Sequence, residues 1–348
     1  MKRWMACLIC LCMMLTAAAA ETRLFTDSAG REVEIPATIS KVAVAGTTAQ
    51  TIFFALAPDT MVGLAVDWGS NAEMYIPEAY LNMPTLGQLY GTKAELNLET
   101  LLAMNPDVIV DVGEGKPSIA EDMDALQAQT NIPCVHIECT LATLGDAFRM
   151  AGALLDRDAA PLADYCDEVY AKGKTIADSV EKVSLLYVMG ETDLCVIAKG
   201  SYHAEVIDLM GNNLAVLETP SSKGTGNLVD MEQIYNWNPD YVIFAPDGIY
   251  DTIESEESWQ GVSAIAKGAY AEVPMGPDNW LGFPPSAQRL LGMLWMAKLL
   301  YPEAADYDMY EETARFYDLF YHCDLTCEQY DALVANSLGK INQGAVTP

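Results

Sequence analysis

Apolar positions along this chain change their period in a regular order. Stretches of five or six β-branched or alternating residues give way to stretches with apolar residues three and four apart. Period 2 alternating with period 3.6 predicts strands alternating with helices, and so an α/β protein with mostly parallel sheets. Residues 22–26 and 31–35 alternate around Asp27-Ser28-Ala29-Gly30, the signature of a hairpin with Gly30 at positive φ. Residues 41–45 read as a buried strand, and Gly46-Thr47-Thr48 opens a helix to Leu56 with Thr47 or Thr48 as cap. Residues 61–66 read as the next strand, before a long aromatic-bearing loop that ends near Glu95. Ser118-x-x-Glu121 has capping-box spacing for a further helix, and residues 132–137 read as a strand.

One pattern occurs twice. Leu98-Glu99-Thr100-Leu101-Leu102-Ala103-Met104 is followed by Asn105-Pro106-Asp107 and the strand Val108-Ile109-Val110. Met231-Glu232-Gln233-Ile234-Tyr235-Asn236-Trp237 is followed by Asn238-Pro239-Asp240 and Tyr241-Val242-Ile243-Phe244. Each reads as helix, sharp stop and strand, because Pro cannot continue a helix and pushes the residue before it out of helical geometry. Val62-Gly63-Leu64-Ala65-Val66 and Asn212-Asn213-Leu214-Ala215-Val216 form a second matched pair. The separation is far too long for a solenoid, so the pattern predicts two lobes of similar, Rossmann-like build with a ligand cleft between them.

Between the lobes, residues 141–182 contain no strand, and their last helix, from about Pro161 to Glu181, reads as one long rigid connector. The second lobe continues with strands at 184–189 and 195–198 and a helix from Gly200-Ser201 to Met210. After the second repeat come a strand at 269–273, a loop from 276 to 285, and a helix over 287–300 capped by Ser286. The expected organisation is a signal peptide (1–20), a first lobe (21–155), the connecting helix (156–182), a second lobe (183–302), and C-terminal helices and tail (303–348).

Composition adds an address. Lys2 and Arg3, the short apolar run 4–15 and Ala18-x-Ala20 have the form of a secretory signal cleaved near Ala20. No Cys stands where a lipid anchor would need one, so the mature chain is expected free in an extracytoplasmic space, most simply a periplasm. The whole chain of 348 residues carries −30; without Lys2 and Arg3 the 19 basic residues fall to 17 against 49 acidic ones, a net of −32. That excludes nucleic acid and anionic lipid as natural partners. An oxidising compartment permits disulfides, and Cys323 and Cys327, flanking the N-cap Thr326, are the candidate pair, either bridged or free. The neighbouring His322 has no further metal ligand nearby in sequence.

In this order and spacing, these motifs resemble the extracytoplasmic solute-binding proteins of ABC importers for iron–siderophores, haem and cobalamin. The residues that carry the likeness are the opening hairpin 27–36, Asn97-Leu98-Glu99 with Asn105-Pro106-Asp107, Gly200-Ser201, Gly211-Asn212-Asn213 and Trp259-Gln260. The resemblance implies a monomeric, non-catalytic binder without cofactor or resident metal. It would hold a small metal complex between its lobes and deliver it to a permease with a cytoplasmic ATPase. It places permease docking on Glu99 and Glu232; a carboxylate at a helix N-terminus also simply suits the helix dipole. It places the ligand against loops that hold Thr47, Thr48, Trp68, Tyr90, Glu114, Tyr202, His203, Trp280 and Arg289, with Trp68 and Trp280 facing one another. His136, in a strand, reads as structural. Lys93, Lys116, Lys199, Lys223 and Arg289 are the few cations able to reach a cleft loop, a shortage that also admits an oxyanion such as molybdate or tungstate held by helix N-termini. A secreted α/β enzyme is the competing class, but the chain has no Gly-x-Ser-x-Gly elbow, no His-Glu-x-x-His and no phosphate loop.

Overall fold

The computed structural model of the protein describes residues 21–339 except 70, 92–94, 193, 222–223 and 247. The signal segment, Lys93 and Lys223 lie outside these residues. A hairpin of β1 (Thr22–Thr26) and β2 (Glu32–Pro36) opens the chain. The first lobe follows as β3 (Val42–Val44), α1 (Thr47–Leu56), the single turn α2 (Glu78–Leu81), α3 (Leu98–Met104), β4 (Val108–Gly113), α4 (Ile119–Thr130), β5 (Cys134–Glu138) and α5 (Leu144–Leu155). The twenty-residue α6 (Ala160–Ser179), with Pro161 in its first turn, leads out of this lobe. The second lobe holds β6 (Ser184–Met189), β7 (Cys195–Val196), α7 (Glu205–Met210), β8 (Asn212–Asn213), β9 (Asn227–Leu228), α8 (Met231–Trp237), β10 (Tyr241–Phe244), the short α9 (Ser263–Ala266), β11 (Tyr270–Glu272) and α10 (Arg289–Leu300). Two helices, α11 (Met309–Tyr321) and α12 (Cys327–Leu333), close the chain.

The architecture is a bilobed α/β fold, and the lobes share a strand order. In the first, β3, β4 and β5 run parallel, and Met61-Val62 lies beside the outer side of β3 through a bond from Val62 N to Val42 O of 3.0 Å. In the second, β8, β6, β10 and β11 run parallel in the equivalent order, with β7 and β9 added antiparallel. The matched segments 62–66 and 212–216 therefore occupy the same place beside the first strand of each lobe.

The sequence repeat is also a structural repeat. Asn97 caps α3 by accepting from Thr100 N, and Asp230 caps α8 by accepting from Gln233 N. Both helices end on an Asn in left-handed geometry, Asn105 at φ 50° and Asn238 at φ 43°, a conformation that Asn tolerates better than other side chains. The following Asp then enters its strand by donating its backbone N–H across the sheet, Asp107 to Lys41 O and Asp240 to Ser184 O, both at 2.9 Å.

Several local expectations change. Ser118 does not cap α4; its hydroxyl bonds the Asp122 carboxylate at 2.8 Å, so the capping box does not form there. Gly46, not either Thr, is the N-cap of α1, and no side chain caps it. Helix α10 begins at Arg289, two residues later than the spacing suggests. Cys323 and Cys327 remain thiols: Cys323 faces Met74 O while Cys327 is exposed on the first turn of α12, so no bridge forms. The C-terminal helices are no mere appendage of the second lobe. Helix α11 packs on α1, α6 and α10, and His322 Nε2 sits 3.3 Å from Phe54 O in the first lobe. One hydrophobic core runs without interruption from Val42 and Phe53, through Phe148, Tyr165 and Phe316, to Ile243 and Trp295.

Candidate functional site

Parallel strands of an α/β sheet end on one side, and the loops leaving those ends form the natural ligand crevice. Here the ends of both sheets face one another across a cavity of about 650 Å³. The first lobe contributes Gly46, Thr47 and Thr48 at the start of α1, Gln88 to Gly91, Asp111 to Gly113 at the end of β4, and Glu114 and Lys116 just after it. The second contributes Met189, Tyr202, His203, Gly224, Thr225 and the segment Phe283-Pro284-Pro285.

The walls differ in character. On the first-lobe side, the uncapped N-terminus of α1 opens into the cavity, and its first turn carries no acidic residue. Such a terminus presents unpaired backbone N–H groups and the positive end of the helix dipole. Lys116 lines the same cavity, with its Nζ 3.5 Å from the centre of the Tyr90 ring. The Tyr90 hydroxyl donates to Asp122 at 2.5 Å, and burial, then this carboxylate, push its pKa up. Asp111 at the floor is hydrogen-bonded to His136 Nδ1 at 2.8 Å, which gives the buried His136 a structural part, and Glu114 stands exposed at the rim. The second-lobe wall is a stack: His203 lies on Phe283 at 5.6 Å and 21°, and Phe283 on Tyr187 at 5.1 Å and 22°. Burial pushes the His203 pKa below its ordinary value, and the charges of Arg289 and Lys116 push the same way against a bond with the Gly282 backbone.

Of the residues expected in the cleft, Thr47, Thr48, Tyr90, Glu114, Tyr202 and His203 line this cavity. Three do not. Trp280 is 0% exposed, so it cannot touch a ligand. Its loop folds inward because Asn279 bonds Tyr187 OH and the backbone N of Leu281, and because Gly292 of α10 lets the Trp280 carbonyl approach to where a Cβ would stand 2.0 Å away. Trp68 donates from Nε1 to Tyr80 O at 2.9 Å and packs edge-on against Phe54; it borders only a narrow side recess of about 50 Å³. The two Trp therefore do not face one another across a ligand.

Arg289 is 1% exposed and belongs to a buried bolt between the lobes. Its guanidinium pairs with Glu205 and lies 5.0 Å above the Tyr202 ring. Glu205 accepts from Leu141 N at 3.1 Å, and Tyr202 OH donates to Cys139 O at 2.7 Å, both in the first lobe. Thr48 adds a further tie, to Pro285 O at 3.0 Å. Lys199 lies away from the cavity, with its Nζ 3.4 Å from Asn212 Oδ1. Among the described residues that line the cavity, Lys116 is the one Lys or Arg. Gln88, Met189, Thr225 and Phe283 to Pro285 were not anticipated; they sit at strand ends or in aperiodic loops, and only the mixture of Pro, Gly and aromatic residues over 276–285 hinted at a wall.

A bilobed α/β frame with a ligand-sized cleft at facing strand ends is the architecture of a binding protein. Residues 42–274 match the family model described as periplasmic binding protein, and the chain belongs to that family. It is an extracytoplasmic solute-binding component of an ABC importer and not an enzyme. The molybdate-binding protein MolA of Haemophilus influenzae is 27% identical over 90% of this chain and 94% of its own length. MolA's structure bound to molybdate is similar at a TM-score of 0.69 and 22% identity, covering 87% of this chain and 99% of that one. An ABC transporter solute-binding protein from Sulfurospirillum deleyianum gives a TM-score of 0.78 at 23% identity, over 90% and 99% of the two chains.

Proposed function

We propose that this protein captures an oxyanion of the molybdate or tungstate type and hands it to an ABC permease. The carrying observation is the α1 N-terminus, uncapped and with no acidic residue in its own first turn, opening into a cavity that Lys116 also lines, although the Asp111 carboxylate, bonded to His136, lies near Gly46. Backbone N–H groups at a helix start, with one nearby cation, bind a compact anion well even on a strongly acidic protein. The similarity to a molybdate binder over most of both chains supports this over the siderophore, haem or corrinoid reading.

The volume favours a second reading. A tetrahedral oxyanion takes on the order of 100 Å³, three or four waters' worth, and the cavity offers about 650 Å³. A chelated metal complex of siderophore size would fill it, with its organic part against the His203–Phe283 stack. Titration of residues 21–348 with molybdate, tungstate and sulfate, and separately with ferric siderophores, haem and cobalamin, separates the two. The oxyanion reading expects saturable heat with molybdate or tungstate, and a loss of roughly tenfold in Lys116→Gln, the scale of one charge-assisted hydrogen bond. Binding of a siderophore, haem or corrinoid with none by the oxyanions would overturn it. Delivery is assigned to Glu99 and Glu232, exposed carboxylates at matched places on the two lobes, each meeting a basic site on the permease.

A further inference from the structure

Two glycines shape the turn that carries Gln88. Gly87 stands at φ 87°, and a Cβ there would lie 2.0 Å from Glu95 O. Gly91 stands at φ 145°, and a Cβ there would meet Gln88 Oε1, Cδ and Nε2 at 2.6, 2.8 and 2.9 Å. Near-equal distances to three atoms of one plane mean that the flat face of the amide rests on Gly91. The missing side chain at Gly91 makes room for the amide and sets where it lies.

This turn is fastened next to the start of α1. Leu89 N donates at 2.8 Å to the carbonyl of Ala45, the residue before the N-cap Gly46, and Leu96 N donates to Gln88 O at 3.0 Å. Gln88 is 8% exposed and lines the cavity. Its side-chain amide bonds no described residue, and it keeps an opening to the cavity. The polar side chains around it are committed elsewhere. Thr48 donates to Pro285 O, Tyr90 donates to Asp122, and the Asp111 carboxylate is bonded to His136. A buried amide without a partner is costly, and folded proteins keep few of them. One that opens on a ligand cavity finds its partner when the ligand arrives.

We infer that Gln88 is a direct contact of the ligand, its amide donating to an oxygen of the bound oxyanion beside the N–H groups at the start of α1. The inference deepens the oxyanion reading proposed above and rests on it. An oxyanion without protons offers acceptors alone, and a primary amide answers with two N–H donors. Because Gly91 already fixes the amide, little side-chain freedom is lost on binding. The contact is also neutral, so it adds direction to a site whose charge comes from Lys116 and the helix dipole.

The experiment titrates the mature protein, residues 21–348, with sodium molybdate and sodium tungstate, and melts it empty, as wild type, Gln88→Met and Gln88→Glu. Met keeps the length of the side chain and removes the amide; Glu keeps its shape and sets a carboxylate against the anion. Gln88→Met is expected to bind roughly tenfold more weakly, the scale of one hydrogen bond to a charged group. Gln88→Glu loses roughly a further tenfold or more, because like charges then meet. Empty Gln88→Met melts at the wild-type temperature or above it, since no hydrogen bond of the empty protein is removed. Wild-type affinity in Gln88→Met overturns the inference and leaves the oxyanion reading standing. Weaker binding together with a melting temperature several degrees lower makes Gln88 a structural residue and overturns it too, as does equal binding by the Met and Glu variants. If the wild type binds neither anion, the oxyanion reading falls and the inference falls with it.

Discussion

His203 is the residue on which burial, charge and site geometry converge. Its ring is stacked in the cavity wall with a pKa below the ordinary value of about 6.5, chiefly because it is buried. A His whose folded pKa is depressed stabilises the fold fully above its unfolded pKa and loses that contribution as pH falls through 6.5 toward the folded value. The empty protein is therefore expected to melt at lower temperature as pH drops below neutrality, and His203→Gln to flatten that slope. Melting curves across this range check it; an unchanged slope in the variant would show that other groups carry the pH dependence. At this scale the sequence was partly legible. Thr47, Thr48 and Glu114 could be placed because they follow strands that announce themselves, β3 and β4. Trp280 and Arg289 could not, because a loop of Gly, Pro, Asp and Asn gives no period, and only the finished packing decides which side chains turn inward.

Among elements, the contact of α7 and α10 with the end of β5 is the most consequential. The buried Arg289 at the start of α10 and the half-buried Glu205 at the start of α7 share an ion pair that also holds Leu141 N of the first lobe. Removing one partner leaves a buried charge uncompensated, which costs about 3–5 kcal/mol. Glu205→Ala is expected to lose stability on that scale in urea unfolding, while Glu205→Leu with Arg289→Met recovers most of it. Equal losses in single and double variants would mean the pair's volume matters and its charge does not. Elements whose signals are local were readable: α3, α8 and their Asn-Pro-Asp stops, and the N-cap Thr326 of α12, all form. Ser118 shows the limit of local signals: its hydroxyl donates to the Asp122 carboxylate, and its oxygen accepts from none of the free N–H groups of the helix terminus.

At the scale of the molecule, the uninterrupted core decides how far the lobes can move. Phe53 and Phe148 of the first lobe, Phe316 of α11 and Trp295 of the second belong to one packed cluster. The lobes cannot part without opening that cluster to water. The radius of gyration should change by less than about 1 Å on ligand binding, a quantity that small-angle scattering measures; a larger contraction would show a hinge instead. The sequence revealed two lobes because the repeat is written in it. It did not reveal α11 crossing back to α1, since an amphipathic helix names the face it buries but not its partner.

That crossing ties the order of synthesis to the order of folding. The face of α1 that meets α11 waits for residues near the far end of the chain, Tyr321 and His322 among them. A first lobe emerging from a ribosome would thus have its inner surface uncovered and would lack the last layer of its packing. Translocation of a loosely folded precursor becomes easier for the same reason, because the unit that would jam a narrow channel is not complete until its final helices arrive. The helix that makes the mature protein stiff also keeps the nascent one pliable until it has crossed.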